Sequence, residues 1–218
     1  MNKVTLQIPL STASFLEGRL LFQEGSDRNE GVLICPPHPL LAGNIENNIV
    51  QAVAKLAAES MPVLIFNYQA VGKSYKPAAI PLFEHWQLLD QQNDYRQIIQ
   101  ETKIAIQYSH RYFTNIHLVG YSFGAFIAHH CLDQNCLSFT AIAPPLAEHA
   151  FTPLKRDLPT MTIWADNDEL ITPRLDDLFL ENSTNKVIKD TDHFFISHEE
   201  EVAKLIIDFI GQNLCIHR

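Results

Sequence analysis

Short apolar runs alternate along the chain with longer stretches of helical spacing. Val32-Leu33-Ile34-Cys35 contains no polar position, as expected of a strand covered on both faces. From Ile45 to Ala58, the residues Ile45, Ile49, Val50, Val53, Leu56 and Ala57 fall on one stripe, which predicts an amphipathic helix. The two patterns then repeat. Strands are expected at Val63–Phe66, Ile116–Val119, Leu137–Ile142, Met161–Trp164 and Lys186–Ile188, and helices at Tyr95–Tyr108, Phe123–Leu132, Arg174–Leu180 and Glu199–Leu214. Two earlier segments, Val4–Leu10 and Phe15–Phe22, read as strands of an antiparallel edge or hairpin. Strands that alternate with helices pair in parallel through right-handed crossovers, so the fold class is α/β, a mostly parallel sheet with helices on both faces. Catalytic groups in such sheets collect at the carboxyl ends of the strands. The residues just after each apolar run are therefore the informative ones.

Gly120-Tyr121-Ser122-Phe123-Gly124 follows one expected strand and opens a helix rich in small residues. A strand-to-helix turn this tight crowds its central residue, and glycines at minus two and plus two relieve the crowding, so that Ser122 projects over the sheet edge. The same turn leaves the Phe123 N–H at a helix amino terminus, where an unpaired donor and the helix dipole favour a developing oxyanion. G-x-S-x-G alone is a weak pattern; its place between strand and helix gives it weight.

A serine hydroxyl needs a base, and the chain offers ten histidines. His193, in Lys189-Asp190-Thr191-Asp192-His193-Phe194-Phe195, directly follows a strand. His198 looks like part of a helix start, His129 and His130 lie further along the Ser122 helix, and His217 is in the tail. A carboxylate must in turn fix the tautomer of the base. Asp168 stands just past the Met161–Trp164 strand, with Asp166 and Glu169 as rivals in the same loop, while Asp192 adjoins His193 and reads as a surface charge. Ser122, Asp168 and His193 follow the chain order of a nucleophile elbow, acid and base on an α/β-hydrolase sheet.

The chain resembles the α/β-hydrolase superfamily from about residue 15 to the end. The matching pieces are Val32–Pro39, Phe66-Asn67-Tyr68-Gln69-Ala70-Val71-Gly72-Lys73-Ser74, the Ser122 elbow, the Asp168 loop with Pro173, and Asp192-His193-Phe194-Phe195. Cys35-Pro36-Pro37-His38-Pro39-Leu40 with Gly43 is similar to a group of small bacterial hydrolases that carry a His-Pro-rich turn there. Many relatives have His-Gly where this chain has Pro36-Pro37, and Arg-Gly where it has Gln69-Ala70. The resemblance implies a second oxyanion donor in the loop after the third strand. Pro36, Pro37 and Pro39 have no N–H, so it falls to His38, paired with Phe123.

Larger members of the superfamily carry a cap before the acid-bearing strand. Here Ala143 to Thr160 is short and contains Pro144, Pro145, Pro153 and Pro159, so no cap domain is expected and the site should be open. Leu40, together with Tyr75, Phe83 and Trp86 from the stretch Ser74–Asp90, are candidate substrate contacts. A small acyl ester suits such a groove better than a long lipid. Thioester hydrolysis or acyl transfer is a second reading, and a catalytically silent binding protein a third.

Composition narrows the remaining classes. The 218 residues are 46% hydrophobic and 19% charged, consistent with one domain over residues 1–218 and inconsistent with disorder. A formal charge of −9 repels phosphate backbones, so no nucleic acid partner is expected. No apolar run approaches a membrane span. The four cysteines form no CxxC pair and no zinc spacing, and no secretory signal is evident, which together point to a cytoplasmic protein with reduced thiols. Neither metal-ligand spacing nor a glycine-rich phosphate loop is present, so the expected partner is a small-molecule acyl substrate, with no metal and no cofactor.

Overall fold

In the computed structural model, which describes residues 1–77, 79–152, 157–170 and 183–214, the chain forms one eight-stranded sheet. Its strands are β1 (Asn2–Pro9), β2 (Phe15–Phe22), β3 (Glu30–Cys35), β4 (Val63–Phe66), β5 (Asn115–Tyr121), β6 (Cys136–Ile142), β7 (Thr160–Ala165) and β8 (Thr184–Ile188). The order across the sheet is β1-β2-β4-β3-β5-β6-β7-β8. β1 and β2 pair antiparallel, as do β2 and β4. From β4 through β8 every pairing is parallel.

The period-two alternation of each strand divides its side chains between two cores. Val32 and Ile34 of β3, with Val63 and Ile65 of β4, face α1 (Asn48–Ala57) and α5 (Glu199–Leu214). Leu33, Cys35, Leu64 and Phe66 face the other way, into a core shared with α3 (Arg96–Ser109) and α4 (Phe123–His129). Because both faces are covered, the central strands can be apolar throughout. Truncating one of these fully buried aliphatic side chains to alanine costs about 2–5 kcal/mol.

Several boundaries differ from the sequence expectation for local reasons. The first helix begins at Asn48, not Ile45, because the Asn47 side chain accepts from the N–H groups of Ile49 and Val50 and caps it there. α4 ends at His129, short of Leu132. An additional helix, α2 (Leu82–Gln92), begins within the Ser74–Asp90 stretch, for which the sequence pattern predicts neither helix nor strand. Only Trp86 of α2 is buried, and Pro81 precedes it without a side-chain cap, so neither periodicity nor a capping residue marks the helix. Asn93, left-handed at φ 47°, terminates it. The expected helix Arg174–Leu180, together with Pro173, lies outside the described residues. Between β6 and β7 the described residues form turns and no helix.

Candidate active site

The sharp turn after β5 places Ser122 at φ 52°, ψ −122°, a conformation that costs a non-glycine residue on the order of 1–3 kcal/mol. Its surroundings impose it. The Ser122 N–H donates to the Ile142 carbonyl at 2.7 Å, and the Ser122 carbonyl accepts from Ala125 at 2.8 Å. A methyl on Gly120 would overlap the backbone of Gly124 and Ala125, and one on Gly124 would overlap the carbonyl groups of Cys35 and Pro36. Both flanking glycines are thus required by close approach of backbone to backbone.

His193 and Asp168 reach the serine from neighbouring strand ends. His193 Nε2 lies 3.0 Å from Ser122 Oγ, and His193 Nδ1 lies 2.8 Å from Asp168 Oδ2. Ser122 and His193 are only 6% and 4% exposed. The rival carboxylates are elsewhere: Asp166 accepts from the Thr191 N–H, Asp192 from the Phe194 N–H, and Glu169 is exposed. The loop carrying His193 follows β8 through a left-handed Asp190, with Phe195 and Ser197 also left-handed. Phe195 anchors that loop in the core. Tyr121, directly before Ser122, donates its hydroxyl to the His193 carbonyl at 2.6 Å and stacks on the imidazole. Burial pushes the Tyr121 phenol well above its ordinary range, so it remains a donor. His198 pairs with Glu201 instead, and His217 lies outside the described residues.

A serine, a histidine and a carboxylate, here a glutamate, meet once more at the opposite end of the sheet. His117 Nδ1 lies 2.8 Å from Ser138 Oγ, and Nε2 lies 3.1 Å from Glu30 Oε2. His117 and Ser138 are each 1% exposed and stand on the amino-terminal side of β5 and β6. No substrate carbonyl can reach that serine, so this cluster is a satisfied polar network of the core. Accessibility and strand end, rather than residue type, distinguish the two.

Beside Ser122 opens a groove of about 400 Å³ lined by His38, Leu40, Leu41, Asp90, Tyr95, Phe123, Pro145, Glu148 and His149. Neither the His38 nor the Phe123 N–H has a hydrogen-bond partner among the described residues. Of the candidate substrate contacts, Leu40 lines this groove. Trp86 does not: it is fully buried behind the wall, its indole N–H donating to the Gln69 carbonyl at 3.3 Å and its ring meeting that of His38 edge-on. Tyr75 is held away from it, bonded to Gln69, Gln97 and Glu101, and Phe83 is 59% exposed on the solvent side of α2. Besides Leu41, the chain neighbour of the expected Leu40, the wall residues absent from the sequence expectation are Asp90, Tyr95, Pro145, Glu148 and His149. Asp90 and Tyr95 flank the end of the unrecognised α2; the others sit in the β6–β7 connection, where no periodicity exists to reveal them.

Among the described residues no group of three His, Cys, Asp or Glu side chains is arranged to hold a metal ion, and no helix is long and apolar enough to cross a membrane.

No family model matches the chain. An uncharacterized protein of Rickettsia prowazekii is 27% identical over 215 residues, covering 89% of this chain and 84% of that one. Solved structures superpose closely. An α/β serine hydrolase homologue from Coxiella burnetii gives a TM-score of 0.74 at 23% identity, covering 95% of this chain and 96% of that one. An α/β serine hydrolase without lid from Xanthomonas campestris gives 0.71 at 22% identity, covering 97% and 94%. The fold is that of the α/β hydrolases, and among the described residues no helix is inserted between β6 and β7.

Proposed function

We propose that the chain is a serine hydrolase that cleaves a carboxylic ester or related acyl bond. The observation that carries this reading is the continuous line Asp168–His193–Ser122, with separations of 2.8 and 3.0 Å, opening onto a groove at the carboxyl edge of the sheet. His193 Nε2 takes the proton as Ser122 Oγ attacks the acyl carbonyl, then delivers it to the leaving group. Asp168 keeps the proton of the neutral ring on Nδ1, leaving Nε2 as the acceptor. The carbonyl oxygen, as it becomes negative, meets the N–H groups of His38 and Phe123. Water then enters, activated by the same imidazole, and releases the acid. The groove volume sits at the low end of the roughly 300–1,000 Å³ usual for small-molecule sites, which suits a short acyl group.

A fluorophosphonate probe is the direct test. It should label the wild-type chain at Ser122 and fail to label Ser122→Ala; absence of labelling on folded wild-type protein overturns the reading. Turnover of nitrophenyl acetate beside a short acyl-CoA and a carrier-bound acyl group then separates esters from thioesters.

A further inference from the structure

A second imidazole–carboxylate pair, His38 and Asp90, lines the groove beside Ser122. His38 Nε2 lies 3.1 Å from Asp90 Oδ1, and the Tyr95 hydroxyl donates to the same oxygen at 2.9 Å. The other ring nitrogen of His38, Nδ1, accepts the Leu40 N–H at 3.3 Å. One neutral tautomer satisfies both contacts, with the proton on Nε2 and the lone pair on Nδ1. Burial holds the His38 imidazole below its ordinary pKa, with Asp90 opposing. Trp86 and Phe123 close on the ring from two sides, each with centroids 5.1 Å away and nearly perpendicular planes. The side chain is therefore fixed by two hydrogen bonds and two aromatic contacts.

The backbone around it has one freedom left. Proline rings set φ at Pro37 and Pro39, and His38 is extended at φ −62°, ψ 132°, as a residue before proline must be. What can still rotate is the Pro37–His38 peptide, the unit that carries the His38 N–H. Its carbonyl end rests on Gly43, where any side chain would collide with the Pro37 oxygen. The His38 carbonyl accepts from Leu41 at 2.8 Å and from Gly43 at 3.0 Å.

We propose that Asp90 is a positioning residue for catalysis: by fixing the His38 imidazole, it holds the Pro37–His38 peptide with its N–H presented to the oxyanion. This rests on the reading of Ser122 as an acyl-transfer nucleophile. The N–H meets full negative charge only in the transition state, so the contribution of Asp90 appears in kcat and not in KM.

The test measures kcat and KM for a short nitrophenyl ester, and the rate of fluorophosphonate capture, in wild type, Asp90→Ala, Asp90→Asn, His38→Ala and the His38→Ala/Asp90→Ala double variant. Asp90→Ala should lose about 10- to 100-fold in kcat while KM moves by less than about threefold. Capture should slow in proportion, because phosphonylation also builds a negative oxygen at the serine. Asp90→Asn keeps an acceptor for both donors and should retain at least about ten times the kcat of Asp90→Ala. In the His38→Ala background, removing Asp90 should cost little more, since the two act through one contact. The proposal is overturned if Asp90→Ala keeps kcat within about threefold, if its loss falls in KM, if Asn and Ala lose alike, or if the two losses multiply in the double variant. His38→Ala and the double variant answer the question even should one Asp90 variant fold poorly. A reactive wild type with an insensitive Asp90 sinks this inference alone; a wild type that neither turns over esters nor captures the probe sinks the reading of the site.

Discussion

Ser122 shows what one residue's backbone contributes to chemistry. Its left-handed φ is sustained by backbone packed against Gly120 and Gly124, so a methyl at either glycine acts on the proposed nucleophile through the turn. Gly124→Ala should destabilise the fold by about 1–3 kcal/mol and lower kcat, measurable by chemical denaturation beside ester turnover. Asp168→Asn should preserve the fold and cost roughly 10³–10⁴-fold in kcat, because the amide cannot hold the same tautomer of His193. The serine was legible from its flanking glycines and its place after an apolar run, and His193 from its place after another. Asp168 could not be separated from Asp166 and Glu169 by sequence, since three carboxylates within four residues share one loop; the direction of each side chain decides, and only packing sets that. His38 was legible as a backbone donor because its neighbours are prolines. The role of its ring was hidden, because its partner stands 52 positions away.

Among the elements, strands were the clearest. A strand covered on both faces is mostly apolar, and β4 and the Val32–Cys35 run of β3 announce themselves that way, while β5 keeps one buried polar side chain, His117, by hydrogen-bonding it. Helix α2 was missed because it lies on the surface, burying a single side chain, and therefore has no stripe to read. Yet that one side chain supports the groove wall through His38, so Trp86→Ala should cost about 3–5 kcal/mol and also reduce turnover in protein that remains folded, as thermal unfolding and a steady-state assay would show. Asn47→Ala tests a simpler contribution: loss of its two capping contacts on α1 should cost about 1 kcal/mol and leave the ester kinetics of the folded fraction unaltered.

For the molecule as a whole, buried imidazoles make stability depend on pH. Burial, aided by the neighbouring His130, pushes the His129 imidazole down to about 4, and the Thr152 N–H donates to its Nε2 at 3.2 Å. The unfolded chain titrates this group near its ordinary value of about 6.5. Between those two values the unfolded state binds more protons than the folded one, so stability falls as the pH is lowered from about 6.5 towards 4. The thermal midpoint should drop across that window, and His129→Gln should flatten the drop. The sheet's asymmetry carries a further consequence. Acid and imidazole hang from loops beyond β7 and β8, and among the described residues β8 is a margin strand with a single neighbour and mostly exposed side chains, whereas the serine directly follows the interior strand β5. Detachment of that margin would strip the serine of its base while the interior sheet stayed folded. Mild urea should therefore abolish the proposed ester turnover before the far-ultraviolet dichroism changes, with amide exchange accelerating at Thr184–Ile188 ahead of β5.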